Sequence, residues 1–103
     1  MSTIESTRAK FHPGRIGVTP GALEAMQASG QCPEVFLGAH LDGYWGADLC
    51  EEDRLLNDEA LIDGSRLLSA YRTLRGEKLW IITEAADDNG RRSSTTVLLP
   101  DEY

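Results

Sequence analysis

Arg66-Leu67-Leu68-Ser69-Ala70-Tyr71-Arg72-Thr73-Leu74, then Arg75-Gly76-Glu77, then Lys78-Leu79-Trp80-Ile81-Ile82-Thr83-Glu84 is the stretch on which the fold turns. Leu, Ile, Thr, Tyr and Trp dominate both flanks, a composition that suits a pleated surface. Arg75-Gly76-Glu77 is short and carries a glycine, as a hairpin connection requires. The spacing therefore predicts strands over residues 66–74 and 78–84. Ser94-Thr95-Thr96-Val97-Leu98-Leu99 repeats the composition and predicts a third strand over 94–99. The polar loop 86–91, with Asn89-Gly90, joins it to the second. Three consecutive strands on short connections form an antiparallel meander. A period of two places Leu67, Ser69 and Tyr71 on one face and Leu68, Ala70 and Arg72 on the other.

Upstream the pattern changes. Residues 14–18 read as a short first strand that pairs at an edge. Thr19-Pro20 then opens a helix, with Thr as N-cap and Pro at the first helical position. That helix carries Ala22, Leu23 and Met26 and stops at Gly30. Pro33 opens a second helix, with Val35, Phe36 and Ala39 as its apolar face and Asp42-Gly43 as its end. A third helix is predicted over 49–62. Asp48 and Glu51 have capping-box spacing, acids fill the first turn, and Leu49, Leu56 and Ala60 share a face. Gly64 ends it. The expected fold class is α+β: a short N-terminal strand and two to three short helices, then a three-stranded antiparallel meander packed on the helices. Residues 1–10 read as a flexible tail and 11–103 as one domain.

Composition bounds the function. The chain has 103 residues, 41% apolar and 26% charged, which is ordinary for a globular domain. No apolar run reaches the roughly 20 residues of a membrane span. The first ten residues lack the apolar core of a signal peptide, so a cytoplasmic location is expected and no membrane partner. Cys32 and Cys50 have no metal-like spacing and read as small, partly buried residues. Zinc signatures, Walker A loops, Rossmann glycine fingerprints and nucleophile elbows are absent from the sequence, so no cofactor or metal is expected.

The net charge of −7 is concentrated. Residues 42–63 hold Asp42, Asp48, Glu51, Glu52, Asp53, Asp58, Glu59 and Asp63 against the single base Arg54. Such a segment repels phosphate backbones, which argues against direct nucleic-acid binding. It attracts basic protein surfaces. Trp45, in the loop before the third helix, is a candidate aromatic contact for the same surface.

Other polar residues invite a chemical reading. His40 lies near Asp42, Tyr44 and Trp45 and suits either a general base or a helix C-terminus. Glu84 and Arg92 face each other across the last hairpin. With His40 they would make an acid–base set for cleaving a phosphodiester. Asn57 lies within the third helix, where Asn is disfavoured unless something holds it.

The pattern Gly14-x-Ile16-x-x-Thr19-Pro20-Gly21-Ala22-Leu23-Glu24-Ala25 is distinctive. So is His40, Trp45-Gly46, Glu52-Asp53, Asn57, Ala60-Leu61, Gly64 and Arg66 to Tyr71, then Trp80 to Ala85, Arg92-Ser93, Thr95 to Pro100 and Glu102-Tyr103. Over residues 11–103 the chain resembles a family of bacterial proteins of about 100 residues, common on plasmids and integrated mobile elements. Its members are usually labelled "plasmid-related protein" or "type I restriction endonuclease subunit M". A modification subunit needs a cofactor-binding α/β domain, which this pattern does not provide. The resemblance thus implies a genomic setting and no particular activity.

Three readings follow. The first is a binding module on mobile DNA that engages a basic host protein, such as a defence or replication protein, through Asp48, Glu51, Glu52, Asp53, Asp58, Glu59 and Trp45. The second is a small hydrolase or nuclease using His40, Glu84 and Arg92. The third is a homodimer paired through an edge strand or the Trp45 region.

Overall fold

The computed structural model describes residues 9–103. The flexible tail expected over 1–10 lies mostly outside them. Its last residue is tied down, because Lys10 N–H donates to the Leu41 carbonyl at 2.8 Å.

The elements run β1 (Arg15–Val18), α1 (Pro20–Ala28), α2 (Pro33–Leu41), α3 (Glu51–Asp63), β2 (Leu67–Arg72), β3 (Lys78–Thr83), β4 (Ser94–Leu98) and a 3-10 turn (Pro100–Glu102). The α+β class and the meander β2-β3-β4 are as expected. The first strand takes a place at one edge, as expected, and makes the sheet four-stranded in the order β1-β4-β3-β2; what the sequence left open is its partner. β1 joins β4 in parallel, with Ile16 beside Thr95 and Val18 beside Val97. A first strand that returns beside the last must cross the molecule, and local pattern carries no trace of that pairing.

Alternation holds along β2. Leu67, Ser69 and Tyr71 join Leu79, Ile81, Thr83, Thr95 and Val97 on the face beneath α1 and α2. Ala22 and Met26 of α1 and Phe36 and Leu37 of α2 complete that core. On the other face, Ile82 and Leu98 are buried, and Tyr103 stands edge-on to Trp80 at 5.9 Å. β2 stops at Arg72, short of the expected Leu74. Gly76 N–H donates to the Thr73 carbonyl and starts the turn there.

The start of α1 is as read: Thr19 caps it by accepting from Ala22 N–H at 3.2 Å. Both other helices differ from expectation in the face they bury. In α2 that face is Phe36, Leu37 and His40, and Val35 is exposed. In α3 it is Asn57 and Ala60. Leu56 points outward, and Leu49 is buried but precedes the helix. The expected capping box does not form, because Asp48 instead accepts from Arg72 Nε at 2.7 Å. The helix therefore begins at Glu51, after an N-cap Cys50 whose side chain makes no capping bond.

The loop before α3 is fastened to β2. Gly46 has φ +100°, and a Cβ there would lie 1.8 Å from the Ala70 carbonyl oxygen. Ala70 N–H donates to the Trp45 carbonyl at 3.0 Å. Asn57 completes the fastening: its amide donates to Leu68 O at 2.6 Å and its carbonyl accepts from Leu68 N–H at 3.1 Å. One side chain thus pairs with an edge strand much as a neighbouring strand would. Trp45, Leu49, Ala60, Leu67 and Ala70 form a second core cluster around this edge.

Two substitutions test the fastening by urea unfolding. Asn57→Ala strips Leu68 of both partners and is expected to cost about 2–3 kcal/mol, whereas Leu56→Ala on the outer side stays within about 0.5 kcal/mol. Gly46→Ala combines a left-handed backbone with a backbone clash and is expected to cost at least about 3 kcal/mol. Equal stabilities for Asn57→Ala and Leu56→Ala would refute the edge-pairing role.

Candidate functional site

His40 reaches the sheet from the last turn of α2 and is fully buried. Its Nδ1 lies 2.5 Å from Ser69 Oγ and its Nε2 lies 2.8 Å from Thr83 Oγ1. Thr83 Oγ1 lies 2.7 Å from Thr95 Oγ1, which donates to the Pro13 carbonyl at 2.8 Å. The proton positions follow from the end of this chain. A carbonyl only accepts, so Thr95 spends its proton on Pro13 and accepts from Thr83. Thr83 then accepts from His40 Nε2–H, and Nδ1 accepts from Ser69. Phe11 and Trp45 stand edge-on to the imidazole at 5.3 and 5.6 Å.

Burial, with a smaller contribution from the charge of Arg92, lowers the His40 pKa to about 3. The imidazole is neutral at physiological pH. Its lone pair is occupied by Ser69, and no face of the ring is open to solvent. A general base must reach a substrate proton, and this one is sealed in the core.

The other members of the acid–base set lie elsewhere. Thr83 faces His40, so by alternation Glu84 leaves from the opposite side, and it is exposed. Arg92 meets Glu84 through the backbone only. Its Nη1 donates to Ser65 O at 2.7 Å and Glu84 O at 3.0 Å, and its Nη2 to Ala60 O at 2.9 Å. The guanidinium also stacks over Phe11, 5.7 Å from the ring centre. Arg92 therefore ties the C-terminal turn of α3, where a cation suits the helix dipole, to the end of β3. The expected set is not assembled around a common substrate position: His40 is a core residue, Arg92 a staple and Glu84 a surface carboxylate.

The acidic set also divides. Trp45 is only 4% exposed, so it is a plug of the second core and not a surface contact. Its indole N–H donates to Asp58 at 3.0 Å. Asp48 is held by Arg72. Glu51, Glu52, Asp53 and Glu59 are exposed and make no hydrogen bond or ion pair among the described residues. The same helix exposes three apolar side chains that the sequence reading did not place on the surface. Leu55, Leu56 and Ile62 are 54%, 61% and 89% exposed. Glu52, Leu55, Glu59 and Ile62 recur at helical spacing along the outer face of α3, with Leu56 beside them. The spacing of Leu55 and Ile62, seven apart, was the available signal. The pattern of Leu49, Leu56 and Ala60 competes with it, because both stripes recur at helical spacing.

Two shallow grooves flank this helix. One, of about 390 Å³, lies at its C-terminal end between Phe11, Leu61, Ala86 and Arg92. The other, of about 240 Å³, lies at its N-terminal end over Leu68 and Trp80. Among the described residues no cluster of three or more His, Cys, Asp or Glu side chains is placed to hold a metal. Both cysteines are free and exposed, contrary to the expectation that they are partly buried. No described helix is long and apolar enough to cross a membrane.

The buried imidazole gives stability a defined pH dependence. Unfolded His40 takes a proton below about pH 6.5, while the folded protein refuses it until about pH 3. Its contribution is therefore full above pH 6.5 and is lost as pH falls toward 3, with a slope of up to about 1.4 kcal/mol per unit. Urea unfolding between pH 7 and pH 4 should show this slope in the native chain and a shallower one in His40→Asn. Parallel profiles for the two would show that His40 is not the group responsible.

No protein-family model, curated protein or solved structure matches the chain.

Proposed function

We propose that this protein is a binding module whose outer α3 face receives a basic protein partner. One observation carries the reading: a 13-residue helix buries only Asn57 and Ala60, and leaves Leu55, Leu56 and Ile62 in solvent among exposed acids. Exposed apolar side chains set among charged ones are typical of recognition surfaces. The acids would speed encounter with a cationic surface, and the apolar side chains would supply the contact that holds it. The matching partner offers an apolar strip bordered by Lys or Arg. A protein groove that normally takes nucleic acid has that charge, and carboxylates on α3 would stand where phosphates lie. The resemblance to plasmid and mobile-element proteins supports a host defence or replication protein as that partner, met in the cytoplasm.

The test separates charge from apolar contact. Tagged native protein, Glu51→Lys/Glu52→Lys/Glu59→Lys and Leu56→Ser/Ile62→Ser would each be used to capture partners from host lysate. Asp58 is left intact because it holds Trp45. The native chain should retain a basic protein, the charge-reversed form should bind it more slowly and lose its salt dependence, and the Leu56/Ile62 form should release it faster. Unchanged capture by both variants, with native unfolding midpoints, would dispose of the reading.

A further inference from the structure

The two edges of the sheet are treated differently. β2 is closed off by Asn57 and the Trp45 carbonyl. β1, at the other edge, is bare among the described residues. Arg15 and Thr19 donate their N–H groups to Ser93 and Val97, toward β4. Alternation then points the N–H and C=O of Ile16 and Val18 away from the sheet. Among the described residues no strand or side chain pairs with them. An open edge is a template for another strand.

We propose that β1 is the contact of a twofold homodimer, in which β1 pairs antiparallel with β1 of a second copy around Gly17. The strand is suited to its own image. Centred on Gly17, Ile16 falls opposite Val18 of the second copy, so the outward groups of each exchange two hydrogen bonds with the other. Ile16, 46% exposed in the single chain, would gain a β-branched neighbour on the core face. Gly17 brings no side chain to the axis, and a Cβ there would meet nothing within 4 Å, so packing within one chain does not call for glycine. Glycine in a strand often marks the close approach of another backbone.

Charge selects the same occupant. The register sets Arg15 opposite Thr19 of the second copy, and Thr19 Oγ1 donates to the Glu102 carboxylate at 2.5 Å. Arg15 is exposed and without an ion pair among the described residues. Each Arg15 would thus meet a carboxylate of the other copy, twice by symmetry. The repulsion between two chains of charge −7 falls mainly elsewhere. α3 docks on β2, about 14 Å of sheet from β1, which exceeds the screening length of about 8 Å at physiological salt. Four residues make a small interface, so the association is weak, with a dissociation constant in the range of about 10 μM to 1 mM.

Sedimentation equilibrium of the full chain up to about 1 mM reads this directly. The native protein should pass from monomer to dimer. Ile16→Pro removes an N–H that faces away from β4, a position where an edge strand tolerates proline, and should leave only monomer. Arg15→Glu, which keeps every backbone bond, should weaken the dimer at least about fivefold. A native chain that stays monomeric throughout overturns the proposal and leaves the edge to a strand from another protein. A dimer unchanged in both variants overturns it equally. Neither variant touches α3, so partner capture by the acidic helix is scored separately.

Discussion

The neutral imidazole of His40 is the interaction around which the rest of the chain is arranged. Through two ring nitrogens and three hydroxyls it joins α2, β2, β3, β4 and the segment before β1. Each polar atom in the line has a partner, and among the described residues no buried side-chain nitrogen or oxygen lacks one. Buried polar groups are costly when unpaired, so a line of this kind penalises any arrangement that misplaces one of its members. Strand register is the clearest case. A shift of one residue in β3 would turn Thr83 out of the core and leave Nε2–H unpaired. The same closure that specifies the fold also removes His40 from chemistry.

Backbone satisfaction at the β2 edge has a less direct consequence. Asn57 occupies the position on α3 from which an apolar side chain would normally drive docking. The helix is therefore held by two amide–backbone bonds, by Ala60 and by the carbonyls that Arg92 gathers. A helix attached in this way needs little apolar area against the sheet. Its leucines and isoleucine are released to the outer side, where the acids also lie. Asn57 thus contributes both to the exposed face of α3 and to the closed edge of β2.

Among the described residues the opposite edge has no such device. Its exposed groups and those of α3 sit at different ends of the sheet order, so one chain can present both surfaces at once. Arg15 belongs to β1, whereas α3 with its acids docks on β2. The acidic segment 42–63 therefore stands apart from the β1 edge.

Much of this was legible in the residues alone. The meander followed from its composition and from Arg75-Gly76-Glu77, and the start of α1 followed from Thr19-Pro20, because period and turn chemistry act over a few residues. The acidity of α3 was visible for the same reason. Asn57 was recognised as anomalous, but its partner was not, since Leu68 lies across a tertiary contact. His40 and Arg92 carry side chains that serve catalysis and core equally well, and only enclosure decides between them. The parallel pairing of β1 with β4 joins residues some 80 positions apart. The outward turn of Leu56 and the burial of Trp45 likewise depend on which face meets the sheet. Local preference determined where helices and strands form; long-range packing and hydrogen bonding decided which polar groups are sealed in and which apolar ones are left in solvent.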